Sequence, residues 1–322
     1  MRDLRPKMFD EAENTHASQK LAVQMIAFII VFAVIMLAEA LIPSIISMGP
    51  LREEFIKQGY LEEGHNFTIA ESMASATKIA SQPKIMIPSL YCTLFGTLIS
   101  ILYVRAFEVR PVRSMGARKR RLVPHYLLGL AVGAAMMSII VLLTIITGVS
   151  SISVSSSVNF GLIALFLGGF FIQGMSEEFI FRGYFMTTVG GSHHSAVAIG
   201  LSAVAFGLAH AGNPGFDLFV LFNLSLFGVF AALNIILFDD IWGACAIHSI
   251  WNFTQGNFYG ISVSGTGNTE SVLRTTAKSS SRLLTGGDFG IEGSIFTTIV
   301  LGAGVAILLY LLNKQQKEKA EQ

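Results

Sequence analysis

Charged side chains are scarce in this chain, at 13% of 322 residues, against roughly 25% in soluble globular domains. The 22 basic and 21 acidic residues leave a net charge of +1, which excludes the strongly basic balance of a nucleic-acid-binding protein. Cysteine is nearly absent. Cys92 and Cys245 both lie in apolar segments, so neither a disulfide framework nor a zinc knuckle is expected. The sequence holds no G-x-S-x-G, no H-E-x-x-H and no phosphate-binding glycine loop, which removes the common serine hydrolase, zincin and nucleotide-binding signatures. No cleavable signal peptide is expected either. The first apolar run, from Leu21, is as long as a full span and is followed by no small-residue cleavage site.

Hydrophobic residues, by contrast, make up 52% of the chain, and the mean hydropathy is +0.61. Apolar runs of about 20 residues, the length that crosses a bilayer, fall at 21–46, 85–106, 124–149, 159–188, 195–211, 217–238, 241–257 and 291–313. A lone span must satisfy its own backbone hydrogen bonds, so the expected fold is all-α, a polytopic transmembrane helix bundle of about eight spans. It reads as one integrated membrane domain in three stretches. Residues 1–158 carry spans 1–3 with an external loop 47–84 and a basic cytoplasmic loop 105–121; 159–257 form a catalytic core of spans 4–7; 258–322 hold a Gly/Ser-rich loop and the last span. Arg105, Arg110, Arg113, Arg118, Lys119, Arg120 and Arg121 face a single Glu108 in the basic loop, which by the positive-inside rule places it in the cytoplasm together with both termini. The expected location is therefore a cell membrane, the bacterial cytoplasmic membrane, with the lipid bilayer as surroundings.

Ionisable residues inside spans cost about 2.5–3.5 kcal/mol or more near the centre and mark function. Here they concentrate in three places: Glu177-Glu178-Phe179-Ile180-Phe181-Arg182, Phe206-Gly207-Leu208-Ala209-His210, and His248-Ser249-Ile250-Trp251-Asn252. Glu178 and Arg182 stand four apart and share a helix face, where they can pair. Glu177 projects about 100° away and is free of that partner. His248 and Asn252 share a face in the same way, and Phe206 lies one turn below His210. A tight turn at Gly190-Gly191-Ser192 would fold the fourth and fifth spans antiparallel. Glu177 and His210 would then lie roughly 20 and 28 Å from that turn, at a similar depth. A carboxylate and an imidazole converging on one water form a general-base site for hydrolysis, and a second histidine with an amide can bind the oxyanion. The residues Glu177, His210 and His248 equally match a three-ligand zinc site, and spacing does not separate the two. Glu39, in the first span, is expected to pair with another span or to sit near an interface, and is not assigned to the site.

The three motifs resemble those of the CAAX protease and bacteriocin-processing (CPBP) family of intramembrane proteases, which includes the type II CAAX prenyl endopeptidases. That family's Glu-Glu-x-x-x-Arg, Phe-x-x-x-His and His-x-x-x-Asn motifs correspond to Glu177-Glu178-x-x-x-Arg182, Phe206-x-x-x-His210 and His248-x-x-x-Asn252, in order. The stretch 284–294 also looks like bacterial members. The resemblance implies an intramembrane endopeptidase, of a family called metalloprotease, acting on a membrane-associated peptide or prenylated protein. Glu177 and His210 would activate water, His248 and Asn252 would stabilise the oxyanion, and Glu178 and Arg182 would orient the site. Water activation ranks ahead of zinc. The competing readings are bacteriocin self-immunity or toxin binding, and a proton- or ion-coupled transporter, for which no inverted repeat is visible. A single cysteine substituted for Arg120 is expected to react with a membrane-impermeant thiol reagent only from the cytoplasmic side; labelling from outside would reverse the topology.

Overall fold

The computed structural model describes residues 5–13, 15–61, 68–267 and 270–321. The bundle is helical, as expected, with α1 at Lys7–Glu13, α2 at Leu21–Lys57, α3 at Ile69–Ala80, α4 at Pro83–Cys92, α5 at Leu94–Ala106 and α6 at Leu122–Ile146. Helix α7 (Phe160–Glu178) runs through a π-helical segment, Phe179–Met186, into α8 (Thr187–Ser192). Then follow α9 (Ser195–Leu208), α10 (Leu218–Phe238), α11 (Trp242–Phe253) with a π turn over Thr254–Phe258, a short α12 (Arg282–Thr285) and α13 (Ile295–Ala320).

Among the described residues, six helices, taking α4 with α5 and α7 with α8, are long and apolar enough to cross a membrane. The expected fifth and seventh spans correspond to α9, with 14 residues, and α11, with 12. Both are shorter than the ~20 residues a bilayer needs, α11 even with its π turn to Phe258, so they depend on neighbours for burial. Helix α11 packs against α6 and α7, and α10 against α9 and α13.

Three expectations are corrected. Residues 47–84 are not simply a loop: α2 continues through Pro43 and Pro50 to Lys57, and α3 and the start of α4 fill most of the remainder, while 62–67 lie outside the described residues. The Glu54–Lys78 ion pair, 2.5 Å, ties the end of α2 to α3. The 258–290 segment is not all loop either. Leu273–Ala277 (β2) pairs antiparallel with Ser150–Val154 (β1), from Ser150↔Ala277 to Val154↔Leu273. Finally, Gly190 and Gly191 do not make the turn before α9. They are helical, and they lie where a Cβ would fall 2.5 Å from the Phe9 ring and 2.7 Å from the Ala12 carbonyl. Their smallness admits α1, and the turn falls on His193 and His194.

The basic segment is also not uniformly solvated. Arg110 is fully buried: its Nε donates to Glu108 at 2.5 Å and its Nη1 to Ser114 at 2.9 Å. Nη2 donates to Thr188 at 3.1 Å, which ties the segment to α8. Arg105, Arg113, Lys119, Arg120 and Arg121 remain exposed.

Glycine also lets α11 approach its neighbours. A Cβ on Gly133 in α6 would fall 2.6 Å from the Ile247 carbonyl oxygen and 3.0 Å from Ile247 Cα, whereas one on Gly200 would meet nothing within 4 Å. Gly133→Ala should therefore destabilise by about 1–3 kcal/mol through overpacking. Gly200→Ala should be neutral or slightly stabilising, as read by thermal melting in detergent.

Candidate active site

The Glu-Glu-x-x-x-Arg motif sits where α7 passes into the π-helical segment. Thr187 Oγ1 donates to the Arg182 carbonyl at 2.9 Å, five residues back, and such widened turns recur at functional sites. Glu178 and Arg182 are both fully buried and pair at 3.0 Å. The same Glu178 oxygen accepts from His248 Nδ1 at 2.9 Å. The Arg182 guanidinium lies over the Phe206 ring, 4.4 Å from its centroid, a cation–π contact. Three helices are joined at this point: α7, α9 through Phe206, and α11. Glycine creates the room, because a Cβ on Gly174 would stand 2.6 Å from Ser249 N and one on Gly228 3.0 Å from Arg182 Nη2.

Glu177 follows a different course, as its 100° offset predicts. Its Oε1 accepts a short hydrogen bond from Gln173 Nε2. Gln173 Oε1 in turn accepts from Asn252 Nδ2 at 2.9 Å, so one side-chain chain links Asn252, Gln173 and Glu177. The other oxygen, Oε2, has no hydrogen-bond partner among the described residues and lies 3.7 Å from His248 Nε2.

His210 falls in the turn just beyond α9. Its Nδ1 is 2.9 Å from the Phe206 carbonyl oxygen. A carbonyl only accepts, so Nδ1 carries the proton and Nε2 keeps its lone pair. His248 obeys the same logic, with Nδ1 donating to Glu178. The ring of Phe206 contacts both imidazoles edge-on, with centroids 5.1 Å from His210 and 5.6 Å from His248. His210, His248 and Asn252 wall one chamber together with Phe206, Phe227 and Trp251. The chamber has room for about one water molecule.

The structure thus brings together His210, His248, Asn252 and Phe206 around the chamber, and Glu178 with Arg182 behind His248. Glu177 is not part of the chamber wall, and the imidazole it approaches is His248 rather than the expected His210. Among the described residues, no group of three His, Cys, Asp or Glu side chains stands close enough to hold a metal ion. The expected zinc set Glu177, His210 and His248 does not form such a group there: His210 and His248 share the chamber, and Glu177 lies outside its wall with Oε1 held by Gln173.

Sequence reasoning missed Gln173, whose signal was its place four residues before Glu177 on a span. It also set Glu39 aside. The Glu39 Oε1 sits where Gly96 lacks a Cβ, a position also 2.6 Å from Ser176 Oγ, beside Glu177 in sequence. The break between α4 and α5 serves the same corner, where the Thr93 carbonyl accepts from Gly96 N at 2.9 Å and from Ser176 Oγ at 2.5 Å.

Residues 159–254 match the family model for the Type II CAAX prenyl endopeptidase Rce1-like family. That stretch is similar to the Rce1-like domain. The match spans just under a third of the sequence and contains all three motifs. Neither the curated proteins nor the solved structures compared with the chain gave a match. The Rce1-like family is one of proteases, and the apolar helices around the domain make the chain a multi-pass membrane protein.

Breaking a buried ion pair from one side costs about 3–5 kcal/mol, because it strands the other charge. Glu178→Ala should therefore lower stability by that amount in detergent unfolding. The double substitution Glu178→Gln with Arg182→Met should recover most of it, while leaving His248 without its carboxylate partner.

Proposed function

We propose that this protein is an intramembrane endopeptidase that hydrolyses a peptide bond of a membrane-associated substrate, a prenylated CAAX-type protein or a lipidated peptide. The observation that supports this most directly is the chamber walled by His210, His248 and Asn252, of about one water's volume, with the unpartnered Glu177 Oε2 3.7 Å from His248.

In this reading water is held by the lone pair of His210 Nε2. Glu177 Oε2 takes its proton as the oxygen attacks the peptide carbonyl, and later returns that proton to the leaving amine. Glu177 Oε2 lies 3.7 Å from His248 Nε2 and outside the chamber wall, so this step requires the Glu177 side chain to turn toward the chamber when substrate binds, as catalytic hydrogen bonds commonly tighten only in the substrate complex. The second N–H of Asn252 is available to the developing oxyanion, and His248 joins it as an imidazolium, with Nδ1–H on Glu178 and a second proton on Nε2. Each oxyanion donor is worth about 10²–10³ in kcat. Glu178 and Arg182 do no chemistry here; they hold His248 in one orientation.

No step runs through a metal, because the three candidate ligands do not converge. The chamber lies at the end of the bundle where α9 finishes and β1 pairs with β2, opposite the basic segment that begins α6. With that segment in the cytoplasm, substrate enters from the far side.

Glu177→Gln and His210→Ala should each lower kcat by about 10²–10⁴, the usual worth of a general base, with unchanged thermal melting. The assay is cleavage of a prenylated CAAX peptide by purified protein in lipid, and parent activity should survive chelation. Full activity in both folded variants would sink the assignment.

A further inference from the structure

The segment Leu284-Thr285-Gly286-Gly287-Asp288-Phe289-Gly290-Ile291-Glu292-Gly293-Ser294 has no part in the chemistry above, yet its glycines are used structurally. Gly286, Gly287 and Gly290 take φ of +82°, +61° and +98°, a region that disfavours other residues. A Cβ on Gly290 would also fall 2.1 Å from the Ser262 carbonyl oxygen. The segment is thereby pressed onto 262–264, and Glu292 is driven inside to 6% exposure.

There its Oε2 accepts three hydrogen bonds: from Ser264 N at 2.6 Å, from Ser264 Oγ at 3.0 Å and from Gln255 Nε2 at 3.2 Å. The Glu292 backbone carbonyl accepts from Asn223 Nδ2 at 2.8 Å. The carboxylate is thus held in place on every side but one. Oε1 accepts from no described residue, and it is not among the oxygens sealed away from solvent. No lysine, arginine or histidine pairs with Glu292 among the described residues. Glu292 walls the same chamber as His210, His248 and Asn252.

A buried carboxylate with an open lone pair is poised for a donor. The chamber's water-like size leaves no room for a basic side chain to extend into it, so the donors that can reach Oε1 are a water and a backbone N–H at the chamber's mouth, and only the second fixes a peptide. We propose that Glu292 is a substrate-binding residue whose Oε1 accepts a backbone N–H of the peptide laid across the chamber, next to the scissile bond. This rests on the chamber being the peptide site.

The test reads binding, so that it does not depend on turnover. Full-length Glu177→Ala protein in nanodiscs is titrated with a fluorescent prenylated peptide ending in Cys-aliphatic-aliphatic-X. Two backbone-ester analogues, each lacking the N–H on one side of the scissile bond, are titrated in parallel. One ester should bind about tenfold more weakly than the amide, the worth of a hydrogen bond to a charged group. Glu292→Gln should weaken the amide peptide about tenfold, and the ester should then carry no further penalty. Equal binding of amide and both esters to the Glu292 protein overturns the proposal, as does an ester penalty that persists in Glu292→Gln, or no binding at all. If Glu292→Gln fails to fold, the ester comparison on the Glu292 protein decides alone. An ester penalty without cleavage by the parent enzyme would sink proteolysis and leave Glu292 as a peptide-binding group.

Discussion

In a bilayer a charged side chain persists only where its partners are built around it, and Glu178 is where this bundle meets that condition. Its carboxylate takes Arg182 from its own helix and His248 from α11, while Arg182 leans on Phe206 from α9. Removing any one of these would leave a charge or a donor stranded in an apolar medium. The pairing therefore sets the register of three helices, two of them too short to be fixed by the membrane. Gly174 and Gly228 are what let those helices come close enough.

Adjacent glutamates consequently have opposite fates. Glu178, turned inward, is occupied at one oxygen by two cations or donors and serves to position an imidazole. Both keep Oε2 without a hydrogen-bond partner among the described residues, but Glu177, a third of a turn away, pairs with no arginine and is held through Gln173. A group that is fixed in place but not fully satisfied is the kind that can accept a proton from a reacting water. Glu39 from α2 adds a third carboxyl to that side.

Much of this was legible without coordinates. Hydropathy located the helices, though it ended the first span at 46 where α2 runs to Lys57, because a hydropathy window loses sight of a helix once charged residues enter it. The i, i+4 spacings foretold the Glu178–Arg182 pair, the His248–Asn252 face and the Phe206–His210 stacking. The double glycine at 190–191 misled, since glycine marks both turns and close helix approaches and only the presence of α1 decides between them. The depth estimate that brought Glu177 to His210 likewise assumed a turn three residues too early and an α9 longer than its 14 residues.

By itself, then, the sequence determined whatever depends on position within one helix: which segments are apolar, which faces carry charge, and which motifs resemble an intramembrane protease. Those follow from a fixed rise and rotation per residue. Only the tertiary structure decided which imidazole Glu177 approaches, that Gln173 joins it to Asn252 across 79 residues, and that Glu292 from the far end of the chain shares a chamber with His210. Such contacts depend on how helices of unequal length pack and where glycine lets backbones meet, and no periodicity along the chain encodes them.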